Sequence, residues 1–256
     1  MPKIKKVLAT YTGELIQPVR LNYKIINETE VLDKLNKTRD FHYDKEKNLY
    51  KWIMKSNEKK YGFKIDKNVK ISDIVDIILG YIKVTGKKLH IILSTVNRAK
   101  IAITFLDKNI GKEFAEIETL DLINKIFEFN LENVKEISNL ENIFENKIIK
   151  TRDTLFEEVE LEKLKEELSQ EEFVERFGEK FLEDAKRDFP EFENIIIDND
   201  PEGLKKMDMA LTMRQVVLFE KFNGNDSFTL YKLMRNIVSG NYEPPKISNL
   251  KPEYIN

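Results

Sequence analysis

Residues 75–111 begin Val75-Asp76-Ile77-Ile78-Leu79-Gly80-Tyr81-Ile82-Lys83-Val84. They continue Thr85-Gly86-Lys87-Lys88 and Leu89-His90-Ile91-Ile92-Leu93, then Ser94-Thr95 and a mixed run to Gly111. Two short apolar runs joined by a Gly-containing turn predict a β-hairpin. The period then changes. Val96, Ala99, Ile103 and Leu106 share one helical face, and Asn97, Lys100, Thr104 and Lys108 share another. Ser94 or Thr95 suits the helix N-cap and Gly111 its C-terminal end. The inward positions are expected to be Ile78, Ile91, Leu93, Ile103 and Leu106.

Working outward, Lys3–Asn27 carries β-branched and aromatic residues in partial alternation about Thr12-Gly13, and a hairpin is expected there. A helix capped by Asn27 or Thr29 follows to about Thr38. A second hairpin is read in Phe41–Tyr43 and Leu49–Met54. Tyr61, Phe63 and Ile65 alternate as a short strand, and Ala115–Glu118 adds another. Leu120, Ile123, Ile126 and Phe127 suggest a short helix.

After about Glu128 strand signals fade and apolar residues take helical spacing. One such set is Leu140, Ile143, Phe144 and Ile148. Another is Leu155, Phe156, Val159, Leu161, Leu164 and Leu168. A third is Phe173, Val174, Phe177, Phe181 and Leu182. Phe192–Ile197 is a strand-like insertion. Helices are expected over Leu204–Phe222 and Phe228–Val238. The fold class is therefore α+β: a mixed or antiparallel N-terminal sheet with two to three helices, then a mainly helical region. The division is a basic domain over 1–127, an acidic helical domain over 128–243, and an extended, poorly packed tail over 244–256.

The charge supports that division. Residues 1–127 hold 25 Lys and Arg against 16 Asp and Glu, a net of +9, and residues 128–256 hold 18 against 29, a net of −11. The 41 % hydrophobic content suffices for a core. Absence of cysteine excludes disulfides, zinc-thiolate sites and cysteine nucleophiles, and suits a cytoplasmic location. No run approaches the ~20 apolar residues of a membrane span. No cofactor is expected.

The densest functional signal is Lys45–Lys70, with nine Lys and three acids among aromatic residues. Lysines attract phosphates regardless of sequence, and aromatic faces stack on unpaired bases. Lys45, Lys47, Tyr50, Lys51, Trp52, Lys55, Lys59 and Lys60 are the expected nucleic-acid contacts. Arg98 and Lys100 join them, because cations in the first turns of a helix favour a bound anion. The structural alternative is that strand aromatics face the core and lysines merely solvate the surface.

Asp44 followed by Glu58-Lys59-Lys60 imitates the acid order of metal-dependent nucleases, but Glu58 lies outside any strand pattern. Asp198 and Asp200 end an apolar strand, where a divalent ion or a simple helix cap are the alternatives. His42 and His90 sit among apolar strand neighbours and read as core or half-buried. The acidic run Glu157–Glu193 suits a solvated face or a basic partner.

These features predict a non-enzymatic adaptor or accessory subunit of a nucleic-acid-handling, ribonucleoprotein or defence-type complex. Its basic half would face nucleic acid and its acidic half a protein partner. The alternatives are a protein-binding module or inhibitor acting through the acidic half, and a metal-dependent nuclease.

Overall fold

The computed structural model describes residues 5–69, 76–151, 163–164, 167–243 and 250–255. Val75, Lys70, Leu155, Phe156, Val159, Leu161, Pro244 and Pro245 lie outside them.

The hairpin and helix expected at the centre are present. Strands β5 (Asp76–Thr85) and β6 (Lys88–Leu93) pair through the two-residue turn Gly86-Lys87, with Gly86 at φ 56°. Helix α2 (Val96–Asn109) starts at Thr95, whose hydroxyl accepts from the Arg98 N–H. Ile91, Leu93, Ile103 and Leu106 are buried as expected, but Ile78 is half-exposed while Ile77 and Leu79 are fully buried. A bulge causes the difference. Trp52 faces Gly80 and Ile53 faces Ile78, so Leu79 is an extra residue and the alternation shifts by one. Gly80 is required next to it. A Cβ there would lie 2.7 Å from Leu93 Cδ2 and 2.8 Å from the Ile92 carbonyl of β6.

Around this unit lie β2 (Val19–Ile25), α1 (Glu28–Lys37), β3 (Phe41–Asp44), β4 (Leu49–Lys55) and β7 (Ala115–Ile123). Beyond them come α3 (Leu131–Ile137), a 3₁₀ turn (Leu140–Asn142), β8 (Lys150–Thr151) and α4 (Gln170–Ala185). The chain continues through β9 (Phe192–Ile196), α5 (Pro201–Phe222) and α6 (Leu230–Val238). Strands β1 (Lys5–Thr10) and β10 (Leu250–Ile255) are the remaining elements among the described residues.

The main sheet runs β3-β4-β5-β6-β2-β7-β9-β8. Strands β2 and β5 are parallel with β6 between them, and β7 flanks β2 on the other side. With α1 and α2 as crossovers, β2-α1-β5-β6-α2-β7 is a split βαβ arrangement, into which the β3–β4 hairpin is inserted. Alternation sends Val19, Leu21, Tyr23 and Ile25 of β2 to the helical side. There they pack with Val31 and Leu35 of α1, with Ala99, Ile103 and Leu106 of α2, and with Met207 and Leu211 of α5.

Among the described residues the opposite side of the sheet is covered at one end. Ile92, Ile123 and Phe127 meet Ile137, Leu140, Ile143 and Phe144 there, beneath Leu8 of β1.

Several expectations change. The first hairpin is absent: Ala9 and Leu15 form an isolated bridge, and β1 pairs in parallel with β10. The tail described at 250–255 is thus a paired strand. Tyr61, Phe63 and Ile65 form turns and coil. Leu120–Ile123 is strand, because β9 extends the sheet there with Leu120 opposite Ile195. The division expected at 127/128 is crossed by β9, β10 and α5, all of which join structure laid down by the first half. Strand-like Phe192–Ile196 and the helices at 201–222 and 230–238 agree with the reading.

Candidate anion-binding face

The expected contact residues separate into three groups. Trp52 is 1 % exposed, stacked on Phe105 at 5.0 Å and edge-on to Tyr61 and Phe41. Tyr50 is buried, with its hydroxyl donating to Asn36 Oδ1 at 3.0 Å. Both are core residues, since β4 alternation turns positions 50, 52 and 54 toward α2. Neither presents a ring to a base.

Arg98 is also buried. Its Nε donates to Glu14 Oε2 at 3.1 Å and its Nη2 to Thr12 Oγ1 at 3.1 Å. Its Nη1 donates to the carbonyls of Ile78 and Leu79 at 2.9 and 3.3 Å. These belong to the bulge, whose extra residue disrupts the ladder. Glu14 Oε1 in turn accepts from Asn97 Nδ2 at 2.8 Å. An anion does sit at the start of α2, as the cations there suggested, but the chain itself supplies it.

The second group is lysines with acidic partners. Lys51 pairs with Asp44 at 2.8 Å, Lys60 with Asp40 at 2.8 Å and Glu58 at 3.4 Å. Lys55 pairs with Asp76, Lys47 with Glu141, and Lys100 with Asp208. Burial opposes ionisation of Asp40, yet hydrogen bonds from Lys60 and Tyr61 outweigh it and hold the carboxyl below its usual range. The nuclease-like acids are thereby occupied: Asp44 also accepts from the Glu46 and Lys47 N–H groups of its turn. Asp200 caps α5 by accepting from Gly203 N–H at 2.7 Å. Among the described residues no group of three His, Asp or Glu side chains converges as metal ligands do.

Only Lys45 and Lys59 remain from the original ten as exposed lysines without a partner among the described residues. Strand register gives Lys45 new neighbours. Lys83 faces His90 and Lys88 faces Lys24, so the β3–β4 turn, the β5–β6 turn and the end of β2 share one end of the sheet. Lys24, Lys45, Lys87 and Lys88 are all exposed there, and none has an ion pair among the described residues. Glu116 is directly opposite Lys24 on β7, but no ion pair joins the two among the described residues.

Below this rim lies an ordered polar row on the side facing away from α1 and α2, running Lys83, His90, Asn22, Thr119 across four strands. Asn22 Nδ2 donates to Asp121 Oδ2 at 2.8 Å and to Thr119 Oγ1 at 3.0 Å. Asn22 Oδ1 therefore faces His90 Nδ1, at 2.8 Å. Asp121, 2 % exposed, also accepts from Arg20 Nε at 2.7 Å and Asn194 Nδ2 at 2.6 Å. Lys83 is held by Asn142 and Glu145, which come from the segment covering the other end. His42, expected to be buried or half-buried, is exposed on β3, the edge strand of the sheet. His90 is half-buried as read.

Sequence reasoning missed this row. Its members lie at 22, 83, 90, 119 and 121, and no local spacing joins them. The usable signal was the repeated polar residue on one side of apolar strands: Arg20, Asn22 and Lys24 in β2, and Lys88 and His90 in β6.

Burial lowers the His90 pKa below 6.5, aided by Arg20 and Lys88 and opposed by Asp121. The unfolded chain thus takes up this proton at higher pH than the folded one. Stability from this group is complete above about pH 6.5 and is lost as pH falls toward the folded pKa. Urea midpoints of wild type are expected to drop between pH 7 and 5.5 by more than those of His90→Gln. Parallel curves for the two proteins would contradict the assignment.

No protein-family model, curated protein or solved structure matches the chain. No helix among the described residues is long and apolar enough to cross a membrane.

Proposed function

We propose that the chain is an accessory subunit of a nucleic-acid-handling assembly, binding single-stranded nucleic acid at the lysine end of its sheet. The supporting observation is the Lys24–Lys88 pair. Like charges directly opposite each other across two strands destabilise a sheet. These two are left without acidic partners among the described residues, whereas Lys47, Lys51, Lys60, Lys83 and Lys100 have them. An external phosphate would relieve that repulsion. Lys45 and Lys87 extend the rim beyond one phosphate, and the half-buried polar row beneath offers donors and acceptors to a sugar or base edge.

Protein contact is assigned to α4. It carries Glu171, Glu172, Glu175, Glu179, Glu183 and Asp184 while leaving Val174 62 % exposed and Phe177 and Leu182 over a third exposed. Acidic surface around the exposed Val174 and Leu182 side chains suits a partner with basic and apolar groups.

The test is a titration of labelled single-stranded RNA and DNA at about 50 and 200 mM salt, spanning a range over which phosphate contacts weaken strongly. Lys24→Glu/Lys88→Glu is expected to lower the log–log salt slope by about 1.4, at about 0.7 per lost contact. Absence of wild-type binding at low salt, or an unchanged slope in the variant, would remove the proposal.

A further inference from the structure

We propose that His90 is the general base of a metal-independent RNA-cleaving site on the side of the sheet facing away from α1 and α2, with Lys88 as its acid. This inference rests on the nucleic-acid reading above and adds a reaction to it.

The argument begins with a fixed tautomer. Both donors of the Asn22 amide are used, one on the Asp121 carboxylate and one on the Thr119 hydroxyl. Its oxygen can only accept, so His90 Nδ1 must be the N–H donor. The lone pair is then on Nε2. Among the described residues no group bonds Nε2, and it is not among the fully buried atoms lacking partners, so it keeps contact with solvent. An imidazole oriented through one nitrogen and open at the other is the arrangement a general base needs. Arg20 of β2 and Asn194 of β9 hold Asp121, so the relay is anchored across β6, β2, β7 and β9.

The surroundings select the substrate. Lys88 is two residues from His90 on the same side of β6, and Lys24 is opposite Lys88. A phosphodiester held by these two ammonium groups stands beside Nε2. In RNA the neighbouring 2′-hydroxyl is the proton source and nucleophile. Nε2 accepts the 2′-hydroxyl proton as the 2′ oxygen bonds to phosphorus. The bond from phosphorus to the 5′ oxygen breaks, and that oxygen takes a proton from the Lys88 ammonium. The products are a 2′,3′-cyclic phosphate and a 5′-hydroxyl. Proton return from the imidazolium through water to Lys88 resets the site, with no change in oxidation state. DNA lacks the nucleophile, so it would bind and stay intact.

The test uses the whole chain with 5′-labelled single-stranded RNA and the same sequence as DNA, in EDTA, over pH 5 to 9. Cleavage of RNA alone, with cyclic phosphate ends, is expected. At saturating RNA, His90→Gln should cut about 10²–10⁴-fold more slowly, and should lose the rising acid limb of the rate profile. RNA that is bound yet uncut overturns this inference and leaves the binding proposal standing. Equal cleavage by His90→Gln, or abolition by EDTA, overturns it as well. Failure to bind RNA at all overturns both.

Discussion

Replacing Arg98 with alanine is expected to destabilise the protein by about 3–5 kcal/mol, the range for breaking a buried ion pair from one side. Three losses coincide. Glu14, whose side chain is 15 % exposed, loses its guanidinium partner. The Ile78 and Leu79 carbonyls lose their Nη1 donor at the bulge. The Phe63 ring, 5.8 Å from the guanidinium carbon, loses its cationic neighbour. Arg98→Met with Glu14→Gln removes both charges, and should recover a substantial part of the loss. Urea unfolding of the two single variants and the double variant measures the coupling. A single-variant cost under about 1 kcal/mol would show that Arg98 behaves as an ordinary surface charge.

The same residue shows where the sequence was legible and where it was not. Arg98 and Lys100 in the first turns of α2 were read as contacts for an external anion, and Arg98 instead meets an internal one. What local sequence could not show is that Glu14, 84 residues away, would occupy the place. Period-based expectations held for elements stabilised locally: the β5–β6 hairpin, α1, α2, α5, α6 and the β3–β4 hairpin. They failed where long-range pairing decides. Val7, Ala9 and Tyr11 alternate like one arm of a hairpin, yet β1 pairs with a strand some 245 residues on, Lys5 opposite Leu250. Leu120 and Ile123 could belong to either period, and β9 settles them as strand. The lysine patch was legible as composition alone. Which lysines are free depends on acids at 40, 141, 145 and 208, which only the fold brings near.

Expressed separately, residues 1–127 and 128–256 are each expected to remain unfolded or to aggregate. The charge split of +9 and −11 suggested two domains. In the structure much of it is spent across the cut: Lys6 pairs with Glu253, Lys47 with Glu141, Lys83 with Glu145 and Lys100 with Asp208. In each of these pairs one side chain is about half exposed, which keeps its individual worth small. The apolar surface decides the outcome. Residues 1–127 alone would uncover Ile92, Ile123 and Phe127 on one side of the sheet by losing Ile137, Leu140, Ile143 and Phe144. On the other side the core would lose Met207 and Leu211. Six such side chains at about 1.5–3 kcal/mol each amount to on the order of 10 kcal/mol, comparable to the whole stability of an ordinary domain. Strand β7 would also lose β9, and β1 would lose β10, leaving two unpaired edges. Far-UV circular dichroism and amide NMR dispersion of each fragment check this, with co-refolded fragments as the positive control. Only the mixture should give dispersed spectra and a cooperative urea transition. A 1–127 fragment that unfolds cooperatively at the full-length midpoint would restore the two-domain reading, and with it an adaptor whose halves act independently.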